Sequence, residues 1–166
     1  MKFRLAGTVN DSIVDGPGIR YSVFVQGCTH KCPGCQNPQT HDPAGGKEAD
    51  TDDLLVEISK NPLLKGITLS GGEPFEQPLP MIDLCEKVRE KGLDVWGYTG
   101  YLYEDIASGK LGDDARRLLE LCDVLVDGPF VESQKSMSLH WRGSANQRVI
   151  DVPKSLETGE VVLRES

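Results

Sequence analysis

The sequence predicts a single α/β domain with a mostly parallel sheet of about five strands, and three observations carry that expectation. Strand-like and helix-like stretches alternate along most of the 166 residues, the pattern left by right-handed βαβ units. Each of the first four strand-like stretches ends in a turn or a chemically loaded loop, so those loops should share one edge of the sheet, where parallel α/β folds place their sites. The length is enough to bury one core. No repeat, low-complexity tract or domain-splitting linker interrupts it.

Each element has a local reason. The lead is polar and turn-rich and closes with Asp15-Gly16-Pro17-Gly18, a tight backbone turn. Ile19 to Gln26 is β-branched and aromatic and reads as a strand that delivers a cysteine-rich loop. Thr40 to Asp50 is Gly, Pro and charge, expected as a solvated loop, after which Thr51 caps a short helix with Leu54, Leu55 and Ile58 on one face. Gly66 to Ser70 is a second strand, running into Gly71-Gly72-Glu73-Pro74. Leu79, Ile82, Cys85 and Val88 recur at helical spacing before a Gly92 stop, and Leu93 to Tyr98 is a third strand followed by Thr99-Gly100. Leu111, Ala115, Leu118, Leu119 and Cys122 mark another helix, Val124 to Val126 a fourth strand ending at Asp127-Gly128, and Gln147 to Asp151 a fifth. The tail from Val152 onward carries no readable signal.

Composition narrows the function. A formal charge of −8 with no basic cluster argues against a nucleic-acid partner. Met1 to Gly7 is charged too early for a secretory h-region, and no apolar run approaches a membrane span, so a cytoplasmic protein is expected. Five cysteines, three of them within eight positions, suit a metal site in a reducing compartment better than a disulfide framework.

That triplet, Cys28, Cys32 and Cys35, is spaced C-x3-C-x2-C with short or turn-forming residues between the thiols, so all three can converge on one centre. Thiolates prefer soft metals, which leaves zinc and iron–sulfur. A structural zinc site in an interaction module would take His30 or His41 as its fourth ligand. A [4Fe–4S] cluster normally takes four cysteines, so three leave one iron for an exchangeable ligand.

With Gly71-Gly72-Glu73-Pro74 downstream, the triplet resembles the radical S-adenosylmethionine (SAM) enzymes. Val14-Asp15-Gly16-Pro17-Gly18-Ile19-Arg20 is similar to the glycyl-radical-enzyme activases among them. Cys32-Pro33-Gly34-Cys35, Tyr98-Thr99-Gly100-Tyr101, Val126-Asp127-Gly128 and Trp141-Arg142-Gly143-Ser144 through Asn146-Gln147 resemble the branch serving anaerobic ribonucleotide reductase. The resemblance implies that Cys28, Cys32 and Cys35 hold a [4Fe–4S] cluster whose open iron takes SAM. It further implies that Gly34, Cys35, Gln36, Gly71, Gly72, Glu73 and Pro74 contact SAM, with Glu73 alternatively orienting the loop. The family's full barrel has more βα units than this length holds, so an open partial barrel of the radical SAM type is expected.

The implied activity needs no side-chain acid or base. A flavodoxin- or ferredoxin-like donor supplies one electron, SAM is cleaved to methionine and a 5′-deoxyadenosyl radical, and that radical takes hydrogen from a glycine of the large reductase subunit. Another glycyl-radical enzyme, of the formate-lyase type, is the alternative target. Related activases carry an Asp-x-Lys where this chain has Asp127-Gly128-Pro129, which leaves cation binding, site ordering and turn capping open for Asp127. Cys85 and Cys122 read as core thiols, and His30 and His41 as loop residues. A chain this short should need its partner to complete the rim, with Asp15 to Gly18 and the Trp141 region near the mouth.

Overall fold

The computed structural model describes residues 1–14, 16–28, 30, 42, 44–135, 141, 142 and 144–164. In chain order its elements are β1 (Lys2–Ser12), β2 (Arg20–Val25), β3 (Lys47–Asp50), α1 (Thr51–Ser59), β4 (Gly66–Gly71), α2 (Pro78–Glu90), β5 (Asp94–Tyr98), α3 (Tyr103–Ala107), α4 (Asp113–Leu121), β6 (Val124–Asp127), β7 (Arg148–Asp151) and α5 (Val152–Thr158). One seven-stranded sheet runs in the order β3-β1-β2-β4-β5-β6-β7. The pairs β2/β4, β4/β5 and β5/β6 are parallel, whereas β1/β2, β1/β3 and β6/β7 are antiparallel.

The α/β class and the parallel centre match expectation, but the strand count does not. Both missed strands lie on the same side. β1 falls in the stretch expected as an irregular lead, and β3 in the one expected as a solvated loop. Neither carries a clean alternation, because β1 shifts register twice along β2 and β3 is a short edge strand with its first two residues exposed. Their pairing comes from backbone partners distant in sequence, Lys2 with Asp50 and Leu5 with Lys47. α5 also forms inside the unreadable tail, started by the Asp151 carboxylate accepting from the Lys154 amide and stopped by Gly159 in the left-handed region.

The core lies between the sheet and its helices. Tyr21, Val23 and Val25 of β2, Ile67 and Leu69 of β4, Val95 of β5 and Leu125 of β6 pack with Leu54 and Ile58 of α1, Met81, Leu84, Cys85 and Val88 of α2, and Leu118 and Leu119 of α4. Each fully buried aliphatic side chain contributes about 1.5–3 kcal/mol relative to exposure. The face of α2 is rotated from the one expected. Met81, Leu84, Cys85 and Val88 are buried, while Leu79 is half exposed, since helical periodicity puts it on the side away from that stripe. At α1 the cap is Asp50, which accepts from the Asp52 amide; Thr51 instead donates to Asp83 at 2.6 Å.

Candidate functional site

Four parallel strands end on one edge, and the loops leaving them are joined by hydrogen bonds. The Gly72 amide donates to Val25 O and the Glu73 amide to Gly27 O, each at 2.8 Å, so the loop after β4 is tied to the start of the cysteine loop after β2. The Thr99 amide donates to Val126 O at 3.0 Å and the Gly128 amide to Tyr101 O at 2.9 Å, which continues the chain of contacts across the loops after β5 and β6. The expectation that these motifs meet on one rim is met.

Gly71 has a structural reason to be glycine. Its φ is +93°, and a Cβ there would stand 2.6 Å from the Val25 amide nitrogen and 2.7 Å from the Phe24 backbone. Only an unsubstituted residue lets β4 turn this close to β2.

Glu73 is fully buried, and its carboxylate is engaged on several sides. It accepts from the Thr99 hydroxyl at 2.9 Å to both oxygens, from the Gly100 amide at 2.8 Å, from the Phe75 amide at 3.1 Å and from His30 Nε2 at 2.6 Å. Of the two roles open to it, loop orientation is the one this geometry supports. The hydrogen bond to Glu73 raises the His30 imidazole above its ordinary pKa, against the opposing effect of burial.

Asp127, also buried, receives the guanidinium of Arg148 at 3.0 and 2.5 Å and the Tyr103 amide at 2.8 Å. Arg148 reaches on to Glu104 at 2.5 Å and holds that carboxyl below its usual range. Site ordering by an internal cation therefore describes Asp127 here. Sequence reasoning missed Arg148, Tyr103 and the importance of His30; the signals available were a histidine inside the cysteine loop and an arginine opening the strand after the Trp141 segment.

Cys28 is buried at the entry to the rim and is not in a disulfide. Cys32, Cys35, Gly34, Gln36 and His41 lie outside the described residues. Three closely spaced thiols, the first of them directly after Gly27, whose carbonyl accepts from the Glu73 amide, are a donor set suited to an iron–sulfur cluster. Nε2 of His30 is bonded to Glu73, which leaves only Nδ1 of that ring open to a metal. Cys85 and Cys122 are buried core thiols as expected, and burial pushes Cys122 up to about 12.

The glycine turn is not at this rim. Gly16 abuts Arg20 and Trp96, and Gly18 abuts Lys65, at the N-terminal edge of the strands. Of the Trp141 segment, Ser144 accepts from the Val131 amide beyond β6 at 3.2 Å, whereas the Trp141 ring packs edge-on against Trp96, the residue Gly16 abuts, with centroids 5.9 Å apart. Among the described residues no helix is long and apolar enough to cross a membrane.

Residues 14–150 match the family model of a 4Fe-4S single cluster domain. A protein of Escherichia coli K12 named anaerobic ribonucleoside-triphosphate reductase-activating protein is 38% identical over 145 residues, covering 82% of this chain and 91% of that protein. Proteins of the same name from Vibrio cholerae and bacteriophage T4 are 36% and 34% identical over 143 residues, covering 81% and 82% of this chain and 89% and 86% of theirs. Among solved structures, QueE from Escherichia coli aligns with 19% identity and a TM-score of 0.48, over 60% of this chain and 53% of that one.

Proposed function

Because the chain belongs to the family of anaerobic ribonucleoside-triphosphate reductase-activating proteins, within a 4Fe-4S single cluster domain family, we propose that the rim at the C-terminal ends of its parallel strands is the radical-generating site. The protein activates anaerobic ribonucleoside-triphosphate reductase by forming a glycyl radical on it, using a [4Fe–4S] cluster and SAM. When bound, the cluster supplies the electron that cleaves SAM to methionine and a 5′-deoxyadenosyl radical, which takes a glycine hydrogen. The cofactors carry that chemistry; the chain binds, orients and shields them.

Cys28, Cys32 and Cys35 would hold the cluster. Gly71, Gly72 and Pro74, together with Gly34, Cys35 and Gln36, would contact SAM, with Glu73 fixing the shape of the Gly71-to-Pro74 loop from behind. All 166 residues would form one radical SAM domain as an open partial barrel whose rim the large reductase subunit completes. A flavodoxin- or ferredoxin-like donor would feed it electrons in the cytoplasm. The observation that supports the site assignment is the pair of 2.8 Å hydrogen bonds that tie Val25 and Gly27, the residues just before Cys28, to the Gly72 and Glu73 amides.

The test is anaerobic reconstitution with iron and sulfide, then SAM and dithionite, with methionine and 5′-deoxyadenosine quantified. Wild type should release both. Cys28→Ser, Cys32→Ser and Cys35→Ser should each release neither, whereas Cys85→Ser and Cys122→Ser should cleave SAM at the wild-type rate per folded chain. Cleavage by any of the three loop variants would overturn the assignment.

A further inference from the structure

Resting on that reading of the site, we infer that His30 is a positioning residue: its imidazole clamps the cysteine loop to the SAM-facing loop through Glu73. The residue lies two positions after Cys28 and two before Cys32, so whatever fixes its side chain also fixes a backbone point within the C-x3-C stretch. Nε2 of His30 stands 2.6 Å from Glu73 Oε1, across 43 positions of sequence. Glu73 is a firm anchor, because the Thr99 hydroxyl and the Gly100 and Phe75 amides hold the same carboxylate. A single buried acceptor thus gathers the loops after β2, β4 and β5.

The imidazole also has a shaped seat. A Cβ on Gly100 would stand 2.5 Å from His30 Cδ2, so glycine at this position is what admits the ring. The Tyr101 ring meets it edge-on with centroids 4.4 Å apart, and the Tyr101 hydroxyl donates to Glu76 at 3.2 Å, which steadies that wall. Thr99-Gly100-Tyr101 therefore acts as a receptor for a side chain of the cysteine loop. A charge-assisted bond in a buried setting is short and directional, suited to setting an orientation. Misplacing reacting groups by about 1 Å can cost on the order of 100-fold in rate. His30 touches no reacting atom in this scheme; it acts through the loop it restrains.

The experiment compares wild type with His30→Ala, His30→Gln and Gly100→Ala. In the full chain before iron loading, hydrogen exchange at the Gly100 amide should accelerate at least several-fold in His30→Ala, because its acceptor has lost a restraint. After anaerobic loading, all variants should keep wild-type iron per chain, since the thiols are intact. SAM affinity in His30→Ala and Gly100→Ala should fall about 10- to 100-fold, the usual loss when a group that orients a metal site is removed, with a weakened SAM-induced change in the electron paramagnetic resonance spectrum of the reduced cluster. His30→Gln, which keeps a donor near the Nε2 position, should recover most of the affinity. Unchanged Gly100 exchange, wild-type SAM affinity in His30→Ala, or a Gln variant as impaired as Ala would each overturn the inference. Wild-type protein that loads iron yet never cleaves SAM would instead overturn the reading of the site.

Discussion

Arg20 and Glu73 are both fully buried charges, at opposite ends of the same parallel strands, and they are satisfied in different ways. Arg20, at the N-terminal edge, donates to Thr68 Oγ1 at 2.9 Å, to Ile67 O at 2.8 Å, to Pro17 O at 3.1 Å and to Asp94 at 2.5 Å, with Trp96 packed against its guanidinium. Three of these partners belong to β4 and β5, which are already held by sheet pairing. Glu73, at the C-terminal edge, takes its bonds from loops that follow different strands. A buried charge among paired strands mainly keeps the fold satisfied. The same device among loops fixes where those loops sit relative to one another, which is a functional quantity.

Breaking the N-terminal charge should have the larger effect on stability. Arg20→Leu is expected to lose about 3 kcal/mol, because it strands the Asp94 carboxylate and several acceptors. Denaturant unfolding measures the loss, and the fraction that folds should still bind SAM normally after cluster loading. Glu73→Gln sharpens the contrast. It should lose about 1–3 kcal/mol, as the new amide group confronts donors from Thr99, Gly100 or His30, yet weaken SAM binding well beyond Arg20→Leu; isothermal titration on loaded protein separates the two. An Arg20 variant with the greater SAM defect would reverse the comparison.

The smallest effect belongs to the ion pair on the rim's outer side. Arg148 lowers the Glu104 pKa, so the pair's stabilisation is present above the ordinary glutamate value near 4.5 and fades as pH falls through the depressed one. Glu104 is largely exposed, which limits the contribution to less than about 1 kcal/mol. Glu104→Gln should therefore flatten the acid limb of the stability profile slightly, as thermal unfolding across pH would reveal.

Much of this arrangement was legible in the sequence because it depends on local signals. The β-branched run before Cys28, the Gly71-Gly72 turn and the Thr99-Gly100 turn each announce a strand ending, and their common polarity puts them on one edge. Other parts depend on partners that no local pattern reveals. β3 reads as a loop because its pairing to β1 spans more than forty residues. Glu73 reads equally as a ligand contact or a loop anchor until Thr99, Gly100 and His30 are seen to converge on it. The glycine turn at Gly16 and Gly18 enters the first parallel strand, so the same polarity puts it at the edge opposite the rim, and its closeness to Arg20 and Lys65 agrees.

The most direct test of the rim as a radical-generating site is electron paramagnetic resonance of the anaerobic ribonucleoside-triphosphate reductase large subunit, mixed anaerobically with the reconstituted protein, SAM and a reductant. A glycyl-radical signal should appear with wild type, require SAM, and vanish with Cys28→Ser, Cys32→Ser or Cys35→Ser. A fully loaded wild-type protein that cleaves SAM but leaves no radical on the reductase, or a radical that persists when a loop thiol is removed, would contradict it.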